Sequence, residues 1–165
     1  MLGFDHIGIL TRDVDKATEE FGRMVNAAEA TRRFDDESLT VSVRFLRDPS
    51  GVVYEMIAPM GENSIVSAAL RKGVNIINQL AYRTPSIAGD IARLKPQGFM
   101  PLGPSKPAIA FGGASVQFLL SPMGFVVELI EASEHVHRFH PLDTGPHPRG
   151  GTILNSKLPS QGTPT

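Results

Sequence analysis

The stretch that decides the fold is G-V-V-Y-E-M-I at residues 51–57, read beside G-F-V-V-E-L-I at residues 124–130. Each is an apolar strand with one carboxylate in its middle, Glu55 in the first and Glu128 in the second, 73 positions apart. The same offset relates Asp13 to Ser86, Leu46 to Leu119, Pro49 to Pro122, Gly51 to Gly124 and Ile57 to Ile130. It also relates His6, in F-D-H-I-G-I, to Gln79, in I-N-Q-L-A-Y. The chain is therefore a duplication, and each copy contributes one neutral donor and one carboxylate. Two unpaired buried carboxylates would cost more than a domain of this size can absorb. A divalent cation shared by both copies would offset that cost.

Each copy reads as βαβββ. The first opens with a strand at about 3–11, whose alternation places Phe4, His6 and Gly8 on one face. A helix capped by Asp13 follows, with Val14, Ala17, Phe21, Met24 and Val25 as its apolar stripe. A weakly signalled strand lies near 28–34. From Leu39 to Leu46 the chain alternates, with Leu39, Val41, Val43 and Phe45 on one face and Thr40, Ser42 and Arg44 on the other. D-P-S-G turns the chain into the Glu55 strand, which ends at Pro59. The second copy repeats this plan with a strand at about 75–83, a helix at 86–97 and strands near 99–102, 114–120 and 124–131. The expected units are a first module at 1–59, a helical linker at 60–74, a second module at 75–132 and an irregular tail, mobile or surface-hugging, at 133–165. Asn63 or Ser64 is expected to cap the linker helix and Gly73 to stop it.

Composition bounds the function. With 16 basic and 17 acidic residues the net charge is −1, which gives no footing for nucleic acid or an anionic membrane. There is no cysteine, so disulfides, thiolate zinc sites and a cysteine nucleophile are excluded. No apolar run is long enough to span a bilayer and M-L-G-F-D-H has no signal-peptide character, so the expected location is the cytoplasm. A-F-G-G-A reads as a turn rather than a phosphate loop.

Taken singly, the four polar residues have plain readings: His6 as a strand histidine bonded to a backbone carbonyl, the glutamates as partners of Arg44, Arg47 or Arg83. Their shared offset favours a joint site. Glu55 shares its face with Val53 and Ile57, and Glu128 with Val126 and Ile130, so an aliphatic ring surrounds each carboxylate. His135, His137, His140 and His147 invite a second metal site, but the surrounding prolines and glycines argue for a loose segment.

F-D-H-I-G-I, P-M-G-E-N-S-I-V-S-A-A-L, L-A-Y-R-T-P-S-I and P-M-G-F-V-V-E-L-I-E together resemble the vicinal oxygen chelate superfamily, and within it the methylmalonyl-CoA epimerases more than the glyoxalases. The resemblance covers residues 3–132. It implies an α+β fold of two βαβββ modules forming a curved, cleft-lined mixed sheet. It also implies a divalent ion (Zn, Co, Ni or Mn) held by His6, Glu55, Gln79 and Glu128. The implied activity is isomerisation of a small carbonyl or acyl-CoA substrate through an enolate. Glu128 or Glu55 would move the proton, with the edge to Glu128 from the glyoxalases. A glyoxalase I-type lyase is the second reading, and a non-catalytic small-molecule-binding protein of the same fold is the rival from another class. An extradiol dioxygenase fits less well, because its iron site takes two histidines and only His6 lies in a core strand. A homodimer is expected by the same resemblance.

The chain departs from the epimerases in three places. Gln79 stands where they carry histidine, Glu55 stands where they carry glutamine, and Ser42 stands where some carry an extra glutamate. The inner face is expected to present Ser42, Arg44, Ser115 and Gln117 to the substrate, with Arg44 pairing an anionic oxygen.

Overall fold

The computed structural model describes residues 1–73 and 76–142. The first module runs β1 (Gly3–Leu10), α1 (Val14–Val25), β2 (Glu29–Ala30), β3 (Phe34–Asp36), β4 (Val41–Arg47) and β5 (Val53–Pro59). A short α2 (Ser67–Lys72) leads to the second, β6 (Ile77–Arg83), α3 (Ile87–Leu94), β7 (Met100–Pro101), β8 (Lys106–Ala108), β9 (Ala114–Leu120) and β10 (Val126–Ile130). A last strand, β11 (His140–Pro141), returns to the first module and pairs with β2.

One mixed sheet runs through both modules in the order β11-β2-β4-β5-β1-β6-β10-β9-β7, with β3 and β8 attached to β4 and β9. In each module the opening strand lies parallel to the closing one, β1 on β5 and β6 on β10. The modules join where β1 and β6 pair antiparallel. The glutamate strands therefore flank the two opening strands, and the site falls on the four central strands β5-β1-β6-β10.

The repeat extends to local chemistry. Asp13 accepts hydrogen bonds from the backbone N–H groups of Asp15 and Lys16, and Ser86 accepts one from Gly89, so the matched pair caps matched helices. Gly51 and Gly124 both take positive φ, 92° and 87°, to close the hairpins that feed the glutamate strands. Leu46 and Leu119 are both buried, packing with Val14 under α1 and with Ile87 and Leu94 under α3.

Some local expectations change. On α1 Val14 is buried and Ala17, Phe21 and Val25 pack on the same cluster as expected, but Thr18 and Gly22 are buried as well and Met24 is exposed. Neither Asn63 nor Ser64 caps α2, which begins one turn later after Val66 and has no side-chain cap; Gly73 ends it in the left-handed conformation, as its place in the sequence predicts. The segment after Ala132 is not loose along its described length. Arg83 Nη1 donates to the carbonyl of His135, β11 pairs with β2, and the N–H of Leu142 donates to the carbonyl of Ala28. His147 and the remainder of the 133–165 tail, with residues 74–75 at the module junction, lie outside the described residues.

Candidate metal centre

The pairing register explains how four side chains from four strands can meet. Glu55 lies opposite Gly8, and Gly8 lies opposite Gln79; one row further along, His6 lies opposite Ala81, and Ala81 opposite Glu128. Small residues thus alternate with polar ones, and the long side chains lean into the space the small ones leave. Gly8 is required for this: a Cβ there would lie 2.6 Å from Gln79 Cγ.

The four polar groups form one cluster. His6 Nε2 lies 3.0 Å from Glu55 Oε2 and 3.4 Å from Glu128 Oε2. Gln79 Nε2 donates to the same two oxygens, at 3.2 Å and 2.7 Å. All four residues are buried, His6 completely. None of the arginines named as alternative partners reaches the glutamates. Arg44 bonds the Thr31 carbonyl and Asp15, Arg47 pairs with Glu29, and Arg83 pairs with Asp5.

Electrostatics distinguish the members. Burial alone would hold His6 neutral, but the charge of Glu55 and hydrogen bonds to Asp5, Glu128 and Glu55 outweigh it and raise its pKa well above 6.5. Burial raises the Glu128 carboxyl above its ordinary value, and the neighbouring charge of Glu55 adds to the rise although His6 opposes it. For Asp5 burial pushes upward too, yet hydrogen bonds from His137 and His6 dominate and hold it far below the usual carboxylate range.

The cleft above the cluster encloses about 470 Å³. Its walls are mainly hydrocarbon, among them Val41, Val43, Ile57, Phe111, Val116 and Phe118, and Glu55, Gln79 and Glu128 form its polar floor. This corrects the expected substrate-binding face. Ser42, Arg44, Ser115 and Gln117 do not line the cleft; their strand neighbours do. Ser42 Oγ donates to Asp35 and accepts from Arg33, and Arg44 turns toward α1. Gln117 donates to the carbonyls of Gly103 and Phe118, and the Ser115 carbonyl accepts from the backbone of Glu131. The expected face follows from setting Ser42 at the position of the epimerases' extra glutamate. The cleft wall is apolar, and the Ser42, Arg44 and Gln117 side chains are taken up by other polar partners.

Two residues of the network escape a strand-alternation reading. Asp5 should point away from His6, but a register shift between Phe4 and His6 brings both to one side. His6 Nδ1 lies 2.8 Å from Asp5 Oδ1, and His137 Nε2 lies 2.7 Å from the same oxygen. The sequence hints are the aspartate beside the histidine in F-D-H and, for His137, the histidine-rich run noted above.

The donor set suits a divalent cation. His6, Glu55 and Glu128 each offer one ligand atom, all within 4.8 Å of one another. Two carboxylates match the ion's charge, and rotation of the Gln79 amide exchanges its N–H donor for an oxygen ligand.

An open mixed sheet of paired βαβββ modules with a polar cluster on the central strands defines a class of duplicated, cleft-bearing α+β proteins. A model of the glyoxalase/bleomycin resistance protein/dioxygenase superfamily matches residues 5–118, and the chain belongs to that superfamily. The matched span includes His6, Glu55 and Gln79 and stops short of Glu128. The fold is similar to that of a hypothetical protein from Bacillus halodurans C-125 (24% identity, TM-score 0.70, covering 83% of this chain and 99% of that one). It is also similar to methylmalonyl-CoA epimerase from Mycobacterium tuberculosis (24% identity, TM-score 0.65, 78% and 86%). A variant of the Streptomyces coelicolor methylmalonyl-CoA epimerase in complex with 2-nitronate-propionyl-CoA matches at 25% identity, with a TM-score of 0.65 and coverage of 82% and 96%. No curated protein sequence matches the chain. Among the described residues no helix is long and apolar enough to cross a membrane.

Proposed function

We propose that this chain is a metal-dependent isomerase of the epimerase type, moving the proton on the carbon next to the carbonyl of a small carbonyl compound or acyl-CoA thioester. One observation carries the reading: Glu55, Gln79 and Glu128 meet at the floor of an apolar cleft, with the fully buried His6 in contact with both carboxylates beneath it. The likeness to methylmalonyl-CoA epimerases supports the substrate class. His6 through Nε2, Glu55 and Glu128 through one oxygen each, and Gln79 through its amide oxygen would hold a Zn, Co, Ni or Mn ion. When bound, the ion supplies a Lewis acid that stabilises negative charge on the substrate's carbonyl oxygen.

The chain's own side chains do the rest. The hydrocarbon walls exclude water from the floor and strengthen every charge interaction there. Glu128, buried at the cleft floor, is placed to take a proton from carbon and return it. Glu55 faces the same point from the pseudo-symmetric strand. Inversion at carbon would need one carboxylate to start ionised and take the proton while the other starts protonated and gives its own to the opposite face, so that the pair exchanges protonation states in each turnover. Ser42 does not line the cleft and takes no part. A glyoxalase I-type lyase would use the same groups, with one carboxylate both removing and redelivering the proton.

The binding-protein reading has an observation of its own. Gln79 donates to both carboxylates, so the cluster is hydrogen-bonded without an ion. Solvent-deuterium exchange separates the readings. The metal-loaded protein is expected to incorporate deuterium next to the carbonyl of a 2-substituted acyl-CoA or of a hemithioacetal. Fully loaded protein that exchanges neither substrate would overturn the isomerase and lyase readings together.

A further inference from the structure

The segment 133–142 starts at the end of β10 in the second module and finishes on β2 and α1 of the first. It is tied at both ends. Near its start the His135 N–H donates to the Ala132 carbonyl, and the His135 carbonyl accepts from Arg83. At its far end His140 and Pro141 pair with Ala30 and Glu29, and Leu142 packs against Gly22 and the cluster beneath α1. Between these ties Phe139 lies under the Arg47 guanidinium, and His137 turns inward. The His137 ring packs on Phe45, with centroids 4.4 Å apart, and its side chain is only 8% exposed.

Among the described residues His137 has one polar side-chain partner, Asp5. Its Nε2 meets Asp5 Oδ1, the atom that also meets His6 Nδ1, while Asp5 Oδ2 pairs with Arg83 Nε at 3.0 Å. Asp5 is thus held from two directions and in turn holds the ring whose other nitrogen faces Glu55 and Glu128. A carboxylate on one imidazole nitrogen fixes the tautomer and the ring orientation that the opposite nitrogen offers to a cation. A buried carboxylate with a single partner would be free to turn; with His137 and Arg83 in place it is not.

We infer that His137 is a positioning residue for the metal centre: the strap at 133–142 completes the site by locking Asp5, and through it His6. The inference rests on the metal-centre reading given above. It places a working part of the site beyond residue 132, in a region whose sequence has no periodicity.

Two variants separate positioning from packing. His137→Phe keeps an aromatic ring against Phe45 and removes the donor; His137→Gln keeps an N–H for Asp5. Affinity for Co2+ and Zn2+ is measured by chelator competition on the full chain, with the visible spectrum of the Co2+ form and thermal unfolding of the metal-free form. His137→Phe is expected to weaken metal affinity about 10- to 100-fold and to alter the Co2+ spectrum. His137→Gln should recover most of the affinity and the wild-type spectrum. Wild-type affinity and spectrum in His137→Phe would overturn the inference, as would an equal loss in both variants. If the wild-type chain binds no divalent ion, the metal reading fails on its own. The inference is then judged by the 15N shifts of the His6 ring in the metal-free protein: they should move in His137→Phe and hold in His137→Gln, and identical shifts in all three proteins would overturn it.

Discussion

The two modules share a backbone plan and differ in what surrounds their matched donors. His6 in the first module is braced: Asp5 grips its far nitrogen, and Asp5 is itself held by His137 and Arg83. Gln79 in the second has no such brace. Asn78 stands where the offset would put the counterpart of Asp5, and it lines the cleft instead. Gln79 is held by packing across Gly8, where any other residue would obstruct it, and by its own hydrogen bonds to Glu55 and Glu128. Duplication therefore explains where the donors lie, and their neighbours explain what each can do. A ring held by a carboxylate offers a nitrogen in one orientation. An amide held by packing can rotate, donating to Glu55 and Glu128 when metal-free and accepting when a cation is present.

The largest expected effect comes from the matched glutamates. Glu128→Gln should reduce solvent-deuterium exchange about a hundredfold or more even when excess metal restores occupancy, because a proton-transfer group is lost. Glu55→Gln should weaken metal affinity by about tenfold or more, and dialysis against chelator followed by metal analysis checks it. Equal loss of exchange in both variants at full occupancy would remove the edge given to Glu128 and make the two carboxylates equal partners in proton transfer. Next in size is Gly8→Ala, whose new Cβ meets Gln79 Cγ. It should lower stability by about 1–3 kcal/mol in chemical unfolding, with the loss traced to the second module's donor rather than to His6.

The smallest effect is a pH dependence of the metal-free fold. His6 and Glu128 both have raised folded-state values, so the stability they contribute is fully present at low pH. It is lost as pH rises through their folded values. Asp5 is lowered, so its contribution is present above its unfolded value and is lost only as pH falls through the folded one. Metal-free protein should thus unfold at a lower temperature at about pH 9 than at about pH 6, while metal-loaded protein gains over the same range as protons cease to compete for His6. Calorimetry on the two forms tests the sign.

Much of this was legible in the chain because duplication leaves a numerical trace. A single offset links Glu55 to Glu128, His6 to Gln79 and the helix caps to each other, and the structure brings the four polar residues together. Strand faces were harder to read. Alternation on β4 correctly separates Leu39, Val41, Val43 and Phe45 from Ser42 and Arg44, but periodicity cannot say which set faces the cleft; that depends on where α1 packs. Asp5 was hidden by a bulge, which shifts register without any residue type that announces it. His137 was hidden for another reason. Its segment is held by partners far away in sequence, Asp5 and Arg83, and such contacts leave no periodic signal.

The central claim is that both halves of the duplication build one metal centre. Isothermal titration of the chelator-treated chain, free of any affinity tag, with Zn2+ or Co2+ tests it most directly. One equivalent of ion should bind per chain, with tight binding lost when Glu55 and Glu128 are both changed to Gln. Binding of no ion, or of one whose affinity the double variant leaves unchanged, would contradict it.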